Sequence, residues 1–181
     1  HELGIEDYLL ARRRFIDWAE LIIHTWQKSS NPYVRFTSSG STGEGKSSIH
    51  QLELLEQEAV AFLDVLPPAN RVLCYVPLHH IYGFLFGFLI PVLEETQVEN
   101  SYLNPLQFDP KPRDRIVSFP DHWSNVAQRM HIPPQTLNHE ENSISGISST
   151  APLDTEVALR VRSYGIDLYE VYGSTETAGV G

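Results

Sequence analysis

Hydrophobic residues recur at steps of three and four along several stretches of the chain, which is the spacing of an amphipathic helix. Residues 5–28 carry such a pattern, and the Ser-Ser-Asn-Pro sequence at 29–32 breaks it. Residues 49–66 carry the next, with an apolar stripe at Leu52, Leu55, Ala59, Phe62, Leu63 and Leu66. We also predict helices over residues 121–129, capped by Asp121, and over residues 154–164, with Val157, Leu159 and Val161 facing inward and Gly165 at the end.

Short runs rich in apolar and β-branched residues separate these helices and predict strands. They cover residues 33–36, 71–77, 98–102, 115–119, 143–148 and 166–172. The run at 71–77 is apolar almost throughout, as is typical of a strand buried on both faces of a parallel sheet. Because strands and helices alternate, we predict an α/β domain with a mostly parallel sheet flanked by helices.

A longer apolar run, residues 81–93, is too short to span a bilayer and contains Gly83, Gly87 and Pro91. We therefore predict a buried segment and no membrane span.

The composition is that of an ordinary globular protein, with 41% hydrophobic and 20% charged residues among 181. We see no internal repeat, and we expect residues 1–181 to form one domain. The formal net charge is -10 and the largest basic cluster is residues 12–14, so we expect no nucleic-acid partner. The single cysteine, Cys74, excludes an internal disulfide, and we expect a reducing, cytoplasmic setting.

Residues 37–48 hold three glycines, several hydroxyl side chains and one lysine. Glycines let backbone N–H groups turn toward an anion, hydroxyls add donors, and a lysine supplies a positive charge. The strand predicted before this segment and the helix predicted after it would set the loop where a strand gives way to a helix. We therefore predict a phosphate-binding loop.

Two phosphate-binding interpretations fit the loop. Gly40, Gly45, Lys46 and Ser47 match the nucleotide-triphosphatase pattern G-x-x-x-x-G-K-[ST] in full. Residues 39–46 also resemble the S-G-[ST]-T-G-x-P-K loop of adenylate-forming enzymes, the acyl-CoA synthetases and adenylation domains, with Gly45 in place of proline. A triphosphatase needs an aspartate at the end of an apolar strand, and the strands at 71–77 and 115–119 do not deliver one. A glycine-serine linker without a ligand is the third alternative.

A second polar segment, residues 172–176, reads Tyr-Gly-Ser-Thr-Glu and follows the last predicted strand. Open α/β sheets bind their ligands at the carboxyl ends of strands. The segment offers an aromatic face, a glycine that permits close approach, two hydroxyls and a carboxylate able to hold magnesium. It matches the Y-G-x-T-E motif of the adenylate-forming family without a substitution.

Two more segments extend this resemblance. Residues 150–153, Thr-Ala-Pro-Leu, resemble the end of the family's G-[AG]-A-P-L segment, with Ser149 where a glycine is common. Residues 77–83 are similar to its P-L-F-H-x-x-G stretch, with His80 on the histidine; alone, such a histidine is more often structural. With these motifs in family order, the chain resembles the adenylate-forming (AMP-binding) superfamily over residues 33–181, and residues 1–32 form a leading helix without a motif.

In the enzymes that the chain resembles, a carboxylate attacks the α-phosphate of ATP to give an acyl-adenylate and pyrophosphate, and a thiol then displaces AMP. The resemblance implies that ATP, Mg²⁺ and a small carboxylic acid bind, and that CoA or the phosphopantetheine of an acyl carrier protein supplies the thiol. No protein nucleophile is needed, because the substrate carboxylate is one already.

The resemblance also implies roles for individual residues. The β- and γ-phosphates would be held by Ser41, Thr42, Gly43 and Lys46. Thr175 would contact the α-phosphate, Glu176 would ligate magnesium, Tyr172 would lie against the adenine, and His80 would border the acyl pocket. His80, Lys46, Thr175 and Glu176 are thus the catalytic candidates, and the remaining nucleotide-binding candidates are Ser39, Gly40, Thr150, Ala151, Pro152, Gly173 and Ser174.

The family's later aspartate for the ribose, its hinge and the lysine of its small carboxyl-terminal domain all lie beyond the equivalent of Gly181. We therefore expect the chain to be the core fragment of a longer acid-thiol ligase and to be inactive alone. Two other functions stay open, a non-catalytic nucleotide-binding or scaffolding relative and a P-loop phosphohydrolase.

Overall fold

An antiparallel hairpin precedes a parallel sheet in the chain. The computed structural model describes residues 22–30, 32–38, 46–102, 104–129 and 143–179. The hairpin pairs β1 (Tyr33–Ser38) with β2 (Lys46–Gln51). The sheet has five strands: β3 (Arg71–Cys74), β4 (Gln97–Asn100), β5 (Asp114–Ser118), β6 (Ile144–Ser148) and β7 (Ile166–Glu170).

The five strands lie in the order β4-β3-β5-β6-β7, and every neighbouring pair is parallel. The predicted parallel sheet is therefore confirmed, although most strands end one or more residues before the predicted boundary. A third, two-stranded pairing joins β8 (Gly173–Ser174) to β9 (Ala178–Gly179) in antiparallel fashion.

The hairpin corrects the prediction of a helix beginning at residue 49. Strand β2 pairs with β1 at six positions, from Tyr33 opposite Gln51 to Ser38 opposite Lys46. The serines and the β-branched isoleucine of β2 have low helix propensity. Successive side chains of the strand point to opposite faces, so Ile49 is 56% exposed while the residues on either side of it are half-buried. The predicted phosphate loop therefore joins two strands of a hairpin. This contradicts the strand-loop-helix arrangement required by the triphosphatase alternative.

Beside the helical residues 22–27, four helices pack on the two faces of the sheet within the described part of the chain. Helix α1 (Leu52–Leu63) begins directly after the hairpin and buries Leu52, Leu55 and Ala59 as predicted. Helix α2 consists of α-helical turns at Ile81–Phe84 and Ile90–Leu93 on either side of a π-helical stretch, Leu85–Leu89. It is apolar all round, and the predicted burial is confirmed over residues 81–91, whereas Leu93 at the end of the helix is 41% exposed.

The other two helices are α3 (Pro120–Arg129) and α4 (Thr155–Ser163). Asp121 lies within the first turn of α3 and is not its cap, since the helix already begins at the preceding proline. Asp154 caps α4 by accepting from the backbone N–H groups of the second and third helical residues, and Gly165, with φ 79°, ends it as predicted.

Leu159 corrects another prediction, because it is 62% exposed and does not face inward. Val157 and Val161 are four residues apart and share the inner face of α4, and a residue midway between them is about 200° from either, on the opposite side.

The buried apolar side chains form one cluster on each face of the sheet. The first joins α1 and α2 to one face, through Val72, Cys74, Val117 and Ile147. Within the leading segment, residues 22–27 are helical, and Trp26 packs against Phe84 and Phe88 of this cluster. The second cluster joins α3 and α4 to the opposite face, through Leu73, Ile116, Ile144 and Trp123. Among the described helices, none is long and apolar enough to cross a membrane.

Gly83 allows the first turn of α2 to pack directly against the backbone of Pro77 and Leu78. A β-carbon at this position would overlap the carbonyl oxygen of Pro77, a backbone atom that has no rotamer by which to move away. We expect Gly83→Ala to lower the free energy of unfolding by about 3 kcal/mol, the upper end for an overpacked core. Denaturant unfolding checks this. The matched control is Gly87→Ala, whose β-carbon meets the side chains of Cys74 and Leu78; equal losses in both variants would contradict the prediction.

Candidate functional site

A cavity of about 430 Å³ lies where helix α2 meets the segments that follow β6 and β7. Its floor is apolar, from Ile81, Leu85, Phe86 and Val171. Its rim is polar and contains six of the predicted site residues: His80, Thr150, Gly173, Ser174, Thr175 and Glu176. The cavity thus places an apolar volume beside a set of hydroxyls, a carboxylate and an imidazole.

Tyr82 ties the floor of the cavity to the sheet. Its hydroxyl lies 2.8 Å from the carbonyl oxygen of Ser118, at the end of β5, and 3.0 Å from that of Ile147 in β6. Burial raises the pKa of Tyr82 well above its ordinary value, so the phenol keeps its proton and donates. Because this donor is occupied by the sheet, the side chain gives the cavity an apolar ring and a fixed position.

A tight turn at residues 174–177 forms one side of the rim. The Ser174 hydroxyl oxygen accepts from the backbone N–H groups of Glu176 and Thr177, each at 3.2 Å. It also lies 3.0 Å from the Thr177 hydroxyl, which in turn reaches the carbonyl of Ala178. These local bonds hold the predicted Y-G-x-T-E segment in one conformation, as short hydroxyl side chains commonly do in turns.

Glu176 presents an ionised carboxylate at the rim. The side chain is exposed, and a hydrogen bond from Ser174 lowers its pKa, with smaller contributions from its own backbone N–H and from the positive charge of Lys46. Lys46 begins β2, so the hairpin brings this cation near the turn. An accessible carboxylate among hydroxyls is the type of oxygen ligand that Mg²⁺ takes. Glu176 can therefore supply one ligand of the predicted magnesium site, although the described residues contain no group of three or more His, Cys, Asp or Glu side chains that could hold a metal ion.

The segment after β6 turns sharply at the opposite side of the rim. The Ser149 hydroxyl donates to the carbonyl of Val171 at 2.7 Å, which joins this segment to the one after β7. Thr150 has φ 84°, a left-handed conformation that is unusual for a β-branched residue. The positive φ therefore falls on Thr150, one residue after the position where the family commonly has glycine.

His80 stands at the rim between the sheet edge and α2, directly before the first helical turn. Its ring centre is 4.4 Å from that of His79. Partial burial lowers the pKa of His80, and the charge of His79 lowers it further. The imidazole is thereby kept neutral to lower pH than an ordinary histidine, and one of its nitrogens remains able to donate.

Other predicted site residues lie outside this cavity lining. Tyr172 is 79% exposed beside the rim. Ala151 and Pro152 are exposed in the turn between Thr150 and α4. Lys46 is exposed at the start of β2, and the loop candidates Ser39, Gly40, Ser41, Thr42 and Gly43 lie outside the described residues.

The structure also brings in residues that the sequence analysis did not include among the site candidates. Tyr82, Ser149 and Ala178 line the cavity, and His50 of β2 contacts the backbone of Thr175 at 2.7 Å. Tyr82 lies within the predicted motif at residues 77–83 and Ser149 directly precedes the one at residues 150–153, which is a usable signal. His50 lies four residues after Lys46, but the prediction of a helix there concealed its strand face.

Comparisons with known proteins show the family to which the chain belongs and the solved structures that its fold resembles. The family model described as AMP-binding enzyme matches residues 9–181. A 4-coumarate–CoA ligase of Halorhodospira halophila is 39% identical over 184 residues, which cover 100% of this chain and 44% of that protein. A 4-coumarate–CoA ligase of Cereibacter sphaeroides is 35% identical over 186 residues, covering 97% and 43%. The chain thus spans less than half the length of these relatives.

The fold is similar to that of a solved acyl-CoA synthetase (AMP-forming)/AMP-acid ligase II-like protein from Dyadobacter fermentans. The TM-score is 0.62 at 19% sequence identity, over 91% of this chain and 47% of that one. At this level of identity the similarity concerns the fold alone.

The contact between His79 and His80 has a measurable electrostatic effect. We expect His79→Gln to raise the pKa of His80, because a positive charge beside it is removed, but not to restore the ordinary histidine value, because partial burial remains. NMR titration of the His80 ring in the complete protein measures this. His24→Gln, on the exposed side of residues 22–27, is the control; an unchanged or lowered pKa in the His79 variant would contradict the prediction.

Proposed function

The chain belongs to the AMP-binding enzyme family, and on this basis we propose that the complete protein activates a carboxylic acid with ATP to form an acyl-adenylate and then transfers the acyl group to a thiol. The thiol is that of CoA or of a carrier-protein phosphopantetheine. Within this protein, residues 33–181 act as the nucleotide-binding core, and residues 1–32 precede it.

The cavity is the observation that carries the proposal. Its apolar floor suits the hydrocarbon part of an acid, and its polar rim suits the phosphates that must meet the carboxylate. The juxtaposition therefore favours joining an acid to a nucleotide.

In the reaction, a carboxylate oxygen of the acid forms a bond to the α-phosphorus of ATP as the bond to pyrophosphate breaks. The thiol sulfur then attacks the acyl carbon. The bond between this carbon and the phosphate oxygen breaks, and AMP leaves with its electron pair. Because both reactants are anions, the protein's task is to hold them together and to offset the charge at the phosphate.

The predicted site residues have complementary parts in this task. Thr175 donates a hydrogen bond from its hydroxyl to the α-phosphate. Lys46 provides a positive charge for the outer phosphates, and Ser41, Thr42 and Gly43 bind them as well. Glu176, which is ionised, would hold Mg²⁺, and the bound ion neutralises part of the phosphate charge. Tyr172, exposed beside the rim, is available to an adenine ring.

His80 borders the acid. Its lowered pKa favours the neutral imidazole, which can donate one N–H to the substrate carboxylate without becoming a fixed counter-ion that stabilises the ground state. The relatives carry the name 4-coumarate–CoA ligase, so we propose aromatic acids as the first substrates to examine, with CoA as acceptor.

The complete protein should exchange labelled pyrophosphate into ATP only in the presence of a suitable acid. This follows because adenylation is reversible, and the label enters ATP when the reverse reaction occurs. A panel of aromatic and aliphatic acids measures it, with an acid-free reaction as control. Hydrolysis of ATP to ADP without exchange would indicate a phosphohydrolase, and nucleotide binding without either reaction would indicate a non-catalytic relative.

Glu176→Gln should lower the exchange rate by about 100-fold, because a neutral amide is a much weaker magnesium ligand than a carboxylate. Since the side chain is exposed, the thermal stability should change little. Rates are measured over a range of magnesium concentrations, with Glu56→Gln on the exposed face of α1 as the matched control. Unaltered turnover of the Glu176 variant at limiting magnesium would remove this residue from the mechanism.

A further inference from the structure

The imidazole of His50 lies against the turn that carries Thr175 and Glu176. Its Nε2 atom is 2.7 Å from the carbonyl oxygen of Thr175, although 125 positions separate the two residues in the chain. A carbonyl oxygen only accepts, so Nε2 must carry the hydrogen and donate. The histidine is half-buried on the inner face of β2, and its ring also meets the ring of Phe36 edge-on, with centres 5.8 Å apart.

The accepting oxygen belongs to the peptide unit between Thr175 and Glu176. The N–H of the same unit is the one donated to the Ser174 hydroxyl, at 3.2 Å. Because a peptide unit is planar and rigid, these two bonds fix its orientation from opposite edges. The orientation of this plane in turn sets the directions in which the Thr175 and Glu176 side chains leave the backbone.

The other end of the connection is the strand that begins with Lys46. His50 lies four positions farther along β2, within the same paired stretch, so the strand is a short rigid link between the two residues. The hydrogen bond from His50 to Thr175 joins this strand to the turn. The position of the hairpin relative to the turn is therefore set in part by this hydrogen bond.

We propose, building on the function proposed above, that His50 is a positioning residue that couples the phosphate-binding hairpin to the Thr175–Glu176 peptide. Its hydrogen bond holds the side chains of Thr175 and Glu176 at a set distance from Lys46. Thr175 contacts the α-phosphate, Glu176 holds Mg²⁺, and Lys46 binds the outer phosphates. His50 itself does not touch the substrates.

Three variants of the complete protein separate the hydrogen bond from the packing. His50→Phe keeps a ring against Phe36 but has no donor. His50→Gln carries an amide N–H at a reach similar to that of Nε2 and restores the donor. His24→Phe, at an exposed helical position, is the control for the change of residue type.

The first measurement uses no nucleotide. We expect the backbone amide of Glu176 to exchange its hydrogen for deuterium faster in His50→Phe than in the wild type, and at a near wild-type rate in His50→Gln. The amide reports on this because it belongs to the same peptide unit as the carbonyl that His50 holds. Unchanged exchange in His50→Phe would show that the contact does not fix this peptide and would overturn the inference.

The second measurement is pyrophosphate exchange with an active acid. We expect kcat to fall by about 10- to 100-fold in His50→Phe, as for other residues that orient a ligand-binding group, with KM for the acid and the melting temperature little changed. His50→Gln should recover most of the loss. Equal losses in the Phe and Gln variants, or a full rate in His50→Phe, would overturn the inference. No exchange by the wild-type protein would instead contradict the proposed function, and the amide measurement would still decide the positioning of the peptide.

Discussion

All five strands of the central sheet run in the same direction, so their carboxyl ends lie along one edge. This constraint brings together segments that are far apart in the chain: the one after β3 with His80, the one after β6 with Thr150, and the one after β7 with Thr175 and Glu176. The Tyr82 hydroxyl binds two carbonyls near the same edge and so holds the cavity floor there. The site is in this sense a property of strand direction as much as of its side chains.

The part of this arrangement that depends on local pattern could be predicted from the sequence. Apolar strands such as 71–77 and the buried run 81–93 need no knowledge of their neighbours, because continuous apolarity already implies burial on all sides. The pairing of β1 with β2 depends on a partner across a loop, and there the helical spacing that begins at Leu52 was extended backward over residues that form a strand. The prediction that Leu159 faces inward was also wrong, because it relied on the apolar side chain and not on the position of the residue around the helix.

In the candidate site, too, the features that depend on local pattern could be predicted, and those that depend on contacts between distant segments could not. Motif residues could be found because their types and order are local, and the cavity collects six of them. The bond from His50 to Thr175, the left-handed Thr150 and the occupied hydroxyl of Tyr82 arise from contacts between distant segments, or from backbone angles that residue identity alone does not give. For Tyr172 the motif implied contact with the adenine, but the structure shows only that the side chain is exposed beside the rim, which does not test this role.

The π-helical stretch Leu85–Leu89 has a consequence for how the cavity relates to sequence change. In a π-helix each turn holds about one residue more than in an α-helix, so the stretch accommodates an extra position within α2 without moving either of its ends. Leu85 and Phe86 of this stretch form part of the cavity floor. Gain or loss of a single residue here would turn a different side chain into the cavity while the sheet kept its register. The inner shape of the pocket is thus open to change by chain length as well as by substitution.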